Sequence, residues 1–223
     1  MPRKRSGSFR VRPATDPALP RTVPPPTLSD VMPRAEPLRS NVPLRLRLAS
    51  QDAGERAVAA WESKLISEAG DIGDILQALP SAMRLALKPE SGTAAKVYLA
   101  EALMNSAKSG ADIEPALAVV PLCIEDNSLQ LRNRILLALG HYCDRGGDIS
   151  EYVGLLLQRL VSDIAPMNQE AALSALKSFV SQGPLKAHQV HLALGEEKQY
   201  ENPDVQERVQ ELKDACMAAL GKR

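Results

Sequence analysis

The sequence predicts an all-α protein, a short α-solenoid of three to four helix-pair repeats behind a disordered N-terminal arm. Three observations predict it. Alanine and leucine dominate the 44% of residues that are hydrophobic, while only 3% are aromatic, a composition that suits helices better than the pleated faces of a sheet. From about residue 70 onward, apolar residues recur at helical spacing in paired blocks, the pattern of a stack of similar units. Ten of the seventeen prolines fall in the first 50 residues, where they deny the backbone its donors and break any helical period.

Residues 1–50 therefore read as a disordered basic arm, and residues 51–223 as the repeat domain. The formal net charge of zero conceals an asymmetry between them. The arm holds ten Arg and Lys against three acidic residues, and the remainder has 17 basic and 24 acidic residues. Arg3, Lys4, Arg5, Arg10 and Arg12 form the densest cluster. Such a cluster grips phosphates, serves as a nuclear-import signal, meets acidic lipid or simply solubilises a tail. Only Phe9 lies among these charges, so a stacking platform for single-stranded nucleic acid is poorly supported. With no acidic residue before Asp16 and many Ser and Pro, the arm also resembles the uncleaved leader of a bacterial type III secreted effector. Leu44-Arg45-Leu46-Arg47-Leu48 alternates strictly, the period of a strand. It is expected to add to another protein's sheet edge, to lie on the acidic repeat domain, or to be a solvated linker.

A first helix is expected from Asp52, whose Asp-x-x-Glu spacing to Glu55 has the form of a capping box, to about Ala69. Val58, Trp61, Leu65 and Ile66 share a face, and the single Trp is expected to seal the end of the stack. Each repeat then opens on an Asp-Ile pair, Asp71-Ile72, Asp112-Ile113 and Asp148-Ile149, with the Asp as N-cap. Pro80 and Pro121 lie at one offset after their Asp and predict a bent first helix, whereas Leu157 takes that place in the third unit. The second helices carry the stripes Leu99, Ala102, Leu103, Ser106; Ile135, Ala138, Leu139, Tyr142; and Ala172, Ala175, Leu176, Phe179. After Gly183-Pro184 comes a weak helix through Leu194. Asn202-Pro203 then starts a strong one with Val205, Val209, Leu212, Cys216 and Leu220 inward, ending at Gly221.

Over about residues 70–183 this pattern resembles HEAT or armadillo-type repeats. The marks are clearest in the middle unit, where Pro121, Asp126, Arg132, Ala138 and Leu139 take the family's places. The first unit keeps the charges as Glu90 and Lys96, and the third has Asp163 but Gln169 in place of the cation. The resemblance implies that Asp126 and Arg132 are structural, as rungs of a hydrogen-bonded ladder through the turns. It implies nothing about activity.

No residue pattern points to catalysis or to a cofactor. The glycines punctuate helix ends and form no phosphate loop, and no serine sits in a nucleophile elbow. Cys123, Cys143 and Cys216 are odd in number and widely spaced, so they read as buried packing in a reducing compartment. His141 and Cys143 are too close in sequence to share a helix face, and His188 with His191 and Glu196 or Glu197 lacks a further ligand at suitable spacing. No metal site is expected. No apolar stretch approaches membrane-spanning length, and the basic N-terminus lacks the apolar run of a signal peptide. The cytoplasm is the expected compartment, with the nucleus or a host cell reached by secretion as alternatives.

The expected function is that of a non-enzymatic scaffold or adaptor. Its partner, another protein, would lie along the ridge of second helices, on Tyr98, Glu101 and Asn105, then Arg134, Leu137 and His141, then Ser174 and Ser178. The alternatives are nucleic-acid association through residues 1–12 and a secreted effector.

Overall fold

The computed structural model describes residues 42–69, 73–195 and 200–221. These lie in a compact unit running from Arg39 to Arg223; a second unit, Met1–Leu38, falls outside the described residues. With it fall the cluster Arg3 to Arg12 and, in the repeat domain, Asp71-Ile72 and Glu196-Glu197.

All regular structure among the described residues is helical: α1 (Leu44–Leu48), α2 (Ala53–Glu68), α3 (Gly73–Ala86), α4 (Gly92–Ser109), α5 (Val120–Glu125), α6 (Leu129–Asp144), α7 (Val153–Ser162), α8 (Pro166–Ser181), α9 (Pro184–Leu194) and α10 (Pro203–Leu220). The long helices α2, α4, α6, α8 and α10 form one row, each packed on the next. The shorter α3, α5, α7 and α9 pair with them as a second layer. The core lies between the layers and within the row, where Leu99, Ala102, Leu103, Ile135, Ala138, Leu139, Ala172, Ala175, Leu176 and Phe179 are buried. Alanine at the centre of each stripe lets helix axes approach, and the leucines and Phe179 fill the layer behind.

Helix starts follow the expected chemistry. The Asp52 carboxylate accepts from the backbone N–H groups of Gly54 and Glu55, and Asn202 Oδ1 accepts from Asp204. Asp112 and Asp148 accept in the same way from Glu114 and Ser150, but each opens a turn of 3₁₀ helix, Glu114–Val119 and Ser150–Tyr152, rather than an α-helix. Pro121 stands in the first turn of α5. Lacking an N–H, it starts a new helix after the 3₁₀ turn, whereas Pro80 is accommodated inside α3.

Three sequence expectations are corrected. Leu44–Leu48 is a helix, not a strand: Leu44, Arg47 and Leu48 share its inner side, and it docks on α2. The Arg47 guanidinium donates to both Glu62 carboxylate oxygens, at 2.6 and 3.3 Å. The packed face of α2 is Arg56, Ala59, Ala60, Ser63 and Ser67, while Val58, Trp61 and Ile66 are half-buried and Leu65 is exposed. In α6, Cys143 rather than Tyr142 completes the inward stripe. The Tyr142 ring instead lies against Gly147, where a Cβ would collide with it.

A polar ladder ties the turns together. Arg132 Nη1 donates to the Asp126 carbonyl of its own turn at 2.6 Å, while Nε and Nη2 reach the Asp163 carboxylate of the next turn at 2.7 and 3.1 Å. One unit earlier, Lys96 Nζ donates to both oxygens of Asp126 at 2.8 Å. Arg56 repeats the Arg132 arrangement one unit earlier still. It donates to the Ser50 carbonyl of its own turn at 2.8 Å and to Ser91 Oγ of the next at 2.7 Å. α1 and α2 thus form a truncated repeat of their own. Gln169 donates to the Asp163 carbonyl at 2.7 Å and carries no cation forward.

Asp163 is the most constrained member, its side chain 0% exposed. Burial alone would raise its pKa, but hydrogen bonds from Arg132, the Ala165 N–H and Asn168 outweigh burial and hold it below the ordinary carboxylate value. Replacing Arg132 by Met leaves that carboxylate buried without its cation and is expected to cost about 3–5 kcal/mol in urea unfolding. A depressed folded pKa contributes stability above the unfolded value that is lost as pH falls through the folded one. In Arg132→Met burial acts without the guanidinium and raises that pKa. Protonating Asp163 then relieves the penalty, and the stability deficit against the wild type in urea unfolding should narrow as pH falls from neutral into the acidic range.

Candidate partner-binding ridge

The row of long helices buries its alanine stripes and leaves the opposite side of each helix to solvent. The α4 stretch Tyr98, Glu101 and Asn105 follows the turn-by-turn spacing of a single helix face, as does Arg134, Leu137 and His141 on α6. The structure brings part of the expected set together. Glu101 is bridged by two cations from the flanking helices, Lys64 Nζ at 3.1 Å and Arg134 Nε at 3.2 Å. Lys64 also stands over the Tyr98 ring, 5.7 Å from its centroid, and Asn105 Nδ2 donates to Ser67 Oγ at 3.3 Å.

Further along the row, Arg208 Nε meets Glu170 and Lys177 Nζ meets Glu211, both at 2.5 Å. Each of these pairs joins adjacent long helices, so the ridge charges largely neutralise one another. Between α6 and α8 the pattern changes. Leu137 and Ser178 are half-buried and Ser174 is exposed. No ion pair joins these two helices along the ridge among the described residues. His141 Nδ1 lies 3.9 Å from Asp144 on its own helix.

Lys64, Ser67 and the Lys177, Arg208, Glu170 and Glu211 pairs were missed by sequence reasoning. The signal was present for the first two. α2 carries a rung residue, Arg56, six residues after the carbonyl it binds, as Arg132 does. Reading α2 as a repeat member would have placed Lys64 on the ridge.

Cys123, Cys143 and Cys216 are buried free thiols. Burial, with Asp126 adding at Cys123 and Asp144 at Cys143, pushes these two up to about 12, and burial alone takes Cys216 to about 11. Among the described residues no three His, Cys, Asp or Glu are grouped so as to hold a metal ion, and no helix is long and apolar enough to cross a membrane.

Two layers of helices stacked through a turn ladder define a helical-repeat protein. Its particular architecture is armadillo/HEAT-like. The fold is similar to that of the designed armadillo repeat protein YIII(Dq.V1)4CPAF in complex with the peptide (KR)4, with a TM-score of 0.56, 16% identity and 80% of each chain covered. No family model matches the sequence, and no curated protein matches it. At that identity the likeness is one of fold.

Glu101→Gln removes the shared carboxylate from two partly exposed pairs and is expected to lower stability by under about 1 kcal/mol in urea titration. A larger loss would show that the ridge pairs, rather than the turns, hold the row. The three thiols should resist Ellman's reagent in native buffer and react only at the rate of unfolding. Rapid native labelling of any of them would contradict their placement.

Proposed function

We propose that this chain is a non-enzymatic protein-interaction scaffold whose partner lies along the solvent face of the long-helix row, centred on the seam between α6 and α8. The supporting observation is the contrast along the ridge. On either side, charges are engaged in pairs between helices. At the seam, Leu137, Ser174 and Ser178 offer a neutral surface that a partner can cover without breaking an ion pair. Arg134 and Glu101 border it on one side, and Glu170 and Lys177 on the other. The designed protein of similar fold holds a peptide, (KR)4, which agrees with a peptide or protein ligand for such a row. The nucleic-acid reading rests on Arg3, Lys4, Arg5, Arg10 and Arg12 alone. The ridge lends it no support, because Lys64, Arg134, Lys177 and Arg208 each face a carboxylate.

The test is affinity capture followed by mass spectrometry, comparing the wild type with Leu137→Arg/His141→Ala. Both side chains are partly exposed, so the fold should survive and the set of captured partners should shrink. An unchanged set would remove the ridge from the function.

A further inference from the structure

Two of the long helices send a side chain from their C-terminal end back onto the end of the helix before. Arg145, the C-cap of α6, donates from Nη2 to the Lys108 carbonyl in the last turn of α4 at 2.8 Å. Gln182, the C-cap of α8, donates from Nε2 to the carbonyls of Cys143 and Gly147 at 3.0 and 2.9 Å. Each side chain plugs a notch and satisfies carbonyls that a helix end leaves without partners. The two plugs stand 37 residues apart, and the position 37 residues further on is Ala219, which has no donor.

The rest of the notch recurs around Ala219. Val180 takes the place of Cys143, and the carbonyl of each accepts from the N–H three residues on. In place of a plug there is an open cleft of about 400 Å³ between the C-terminal ends of α8 and α10, walled by Val180, Pro184, Ala215, Ala218 and Ala219. A Cβ on Gly183, which also lines the cleft, would meet nothing within 4 Å. None of Leu137, His141, Ser174 and Ser178 lines it, so it is separate from the ridge seam.

The chain itself shows what such a notch holds: a planar N–H donor on an aliphatic stem, arginine in one turn and glutamine in the next. At the open cleft, electrostatics favours the arginine. Two helix C-termini meet there with their partial negative charge, and neither α8 nor α10 has a basic residue in its last turn. Lys177, on the wall, is held by Glu211. The methyl groups of Ala215, Ala218 and Ala219 suit a methylene stem.

We propose that this cleft binds an arginine side chain of another protein, which supplies from outside the plug that Ala219 omits.

The test is chemical-shift mapping by NMR on the isotope-labelled full chain with the peptide acetyl-Gly-Arg-Gly-amide and its lysine, citrulline and glutamate counterparts. The arginine peptide should shift residues 180–183 and 215–219 and saturate in roughly the millimolar range. Citrulline, which keeps the shape and loses the charge, and lysine, which keeps the charge and loses the planar fork, should each bind about tenfold more weakly. The glutamate peptide should not bind. Ala219→Gln, which restores the plug seen at Gln182, should abolish the response, whereas Leu137→Arg/His141→Ala should respond as the wild type does. Lys222 and Arg223 follow α10 outside the described residues, and deleting them should leave the affinity unchanged. The proposal is overturned if the arginine peptide leaves those residues unmoved, if citrulline or lysine binds as tightly, or if Ala219→Gln responds like the wild type. Markedly tighter binding after the deletion would assign the cleft to the chain's own tail and likewise overturn it.

Discussion

The arginine at the start of α2 and of α6 does two things at once, and the rest of the stack depends on it. Arg132 satisfies the carbonyl of its own turn and the carboxylate of the next, so it fixes the turn within a repeat and the offset between repeats with one planar group. A buried carboxylate such as Asp163 is tolerable only while that group is in place. The same donor fork that stabilises the pair makes any other register costly, because a shifted turn would strand Asp163 without its guanidinium. Lysine at position 96 reaches forward to Asp126 as a point charge, and Arg56 meets a neutral Ser91 hydroxyl. The tightest rung is therefore the one between the two middle repeats.

Register set at the turns propagates down the long helices and decides what the ridge can be. Glu101 lies between Lys64 and Arg134 because the starts of α2, α4 and α6 are held at fixed offsets. Those exposed pairs contribute little on their own; their arrangement is a consequence of the ladder and not its cause. One set of bonds thus produces a self-neutralised ridge.

The second-helix stripes were legible in the sequence because Leu99, Ile135 and Ala172 keep one phase at nearly constant spacing. Two misreadings have physical causes. In a row of closely packed helices the small residues face inward, so Ala59, Ala60 and Ser63 are buried while Trp61 and Leu65 are more exposed. Ranking faces by side-chain size inverted α2. In Leu44–Leu48 the alternation is also compatible with the helical spacing of Leu44, Arg47 and Leu48, and docking on Glu62 selects the helix. A run of five residues cannot distinguish the two periods, and tertiary contact decides. Ridge pairs were illegible because each depends on which neighbouring helix supplies the partner.

The ladder stops at Gln169, and this makes the C-terminal end different in kind. The Gln169 amide closes its own turn but offers no charge to the next unit. Contact between α8 and α10 relies instead on the buried Val205, Val209, Leu212 and Cys216 and on two surface pairs, Arg208 with Glu170 and Lys177 with Glu211. Surface pairs are screened by salt, whereas the buried Arg132–Asp163 rung is screened far less. In a stack whose stability is a sum over neighbouring interfaces, the last interface is then both the least anchored and the most salt-sensitive.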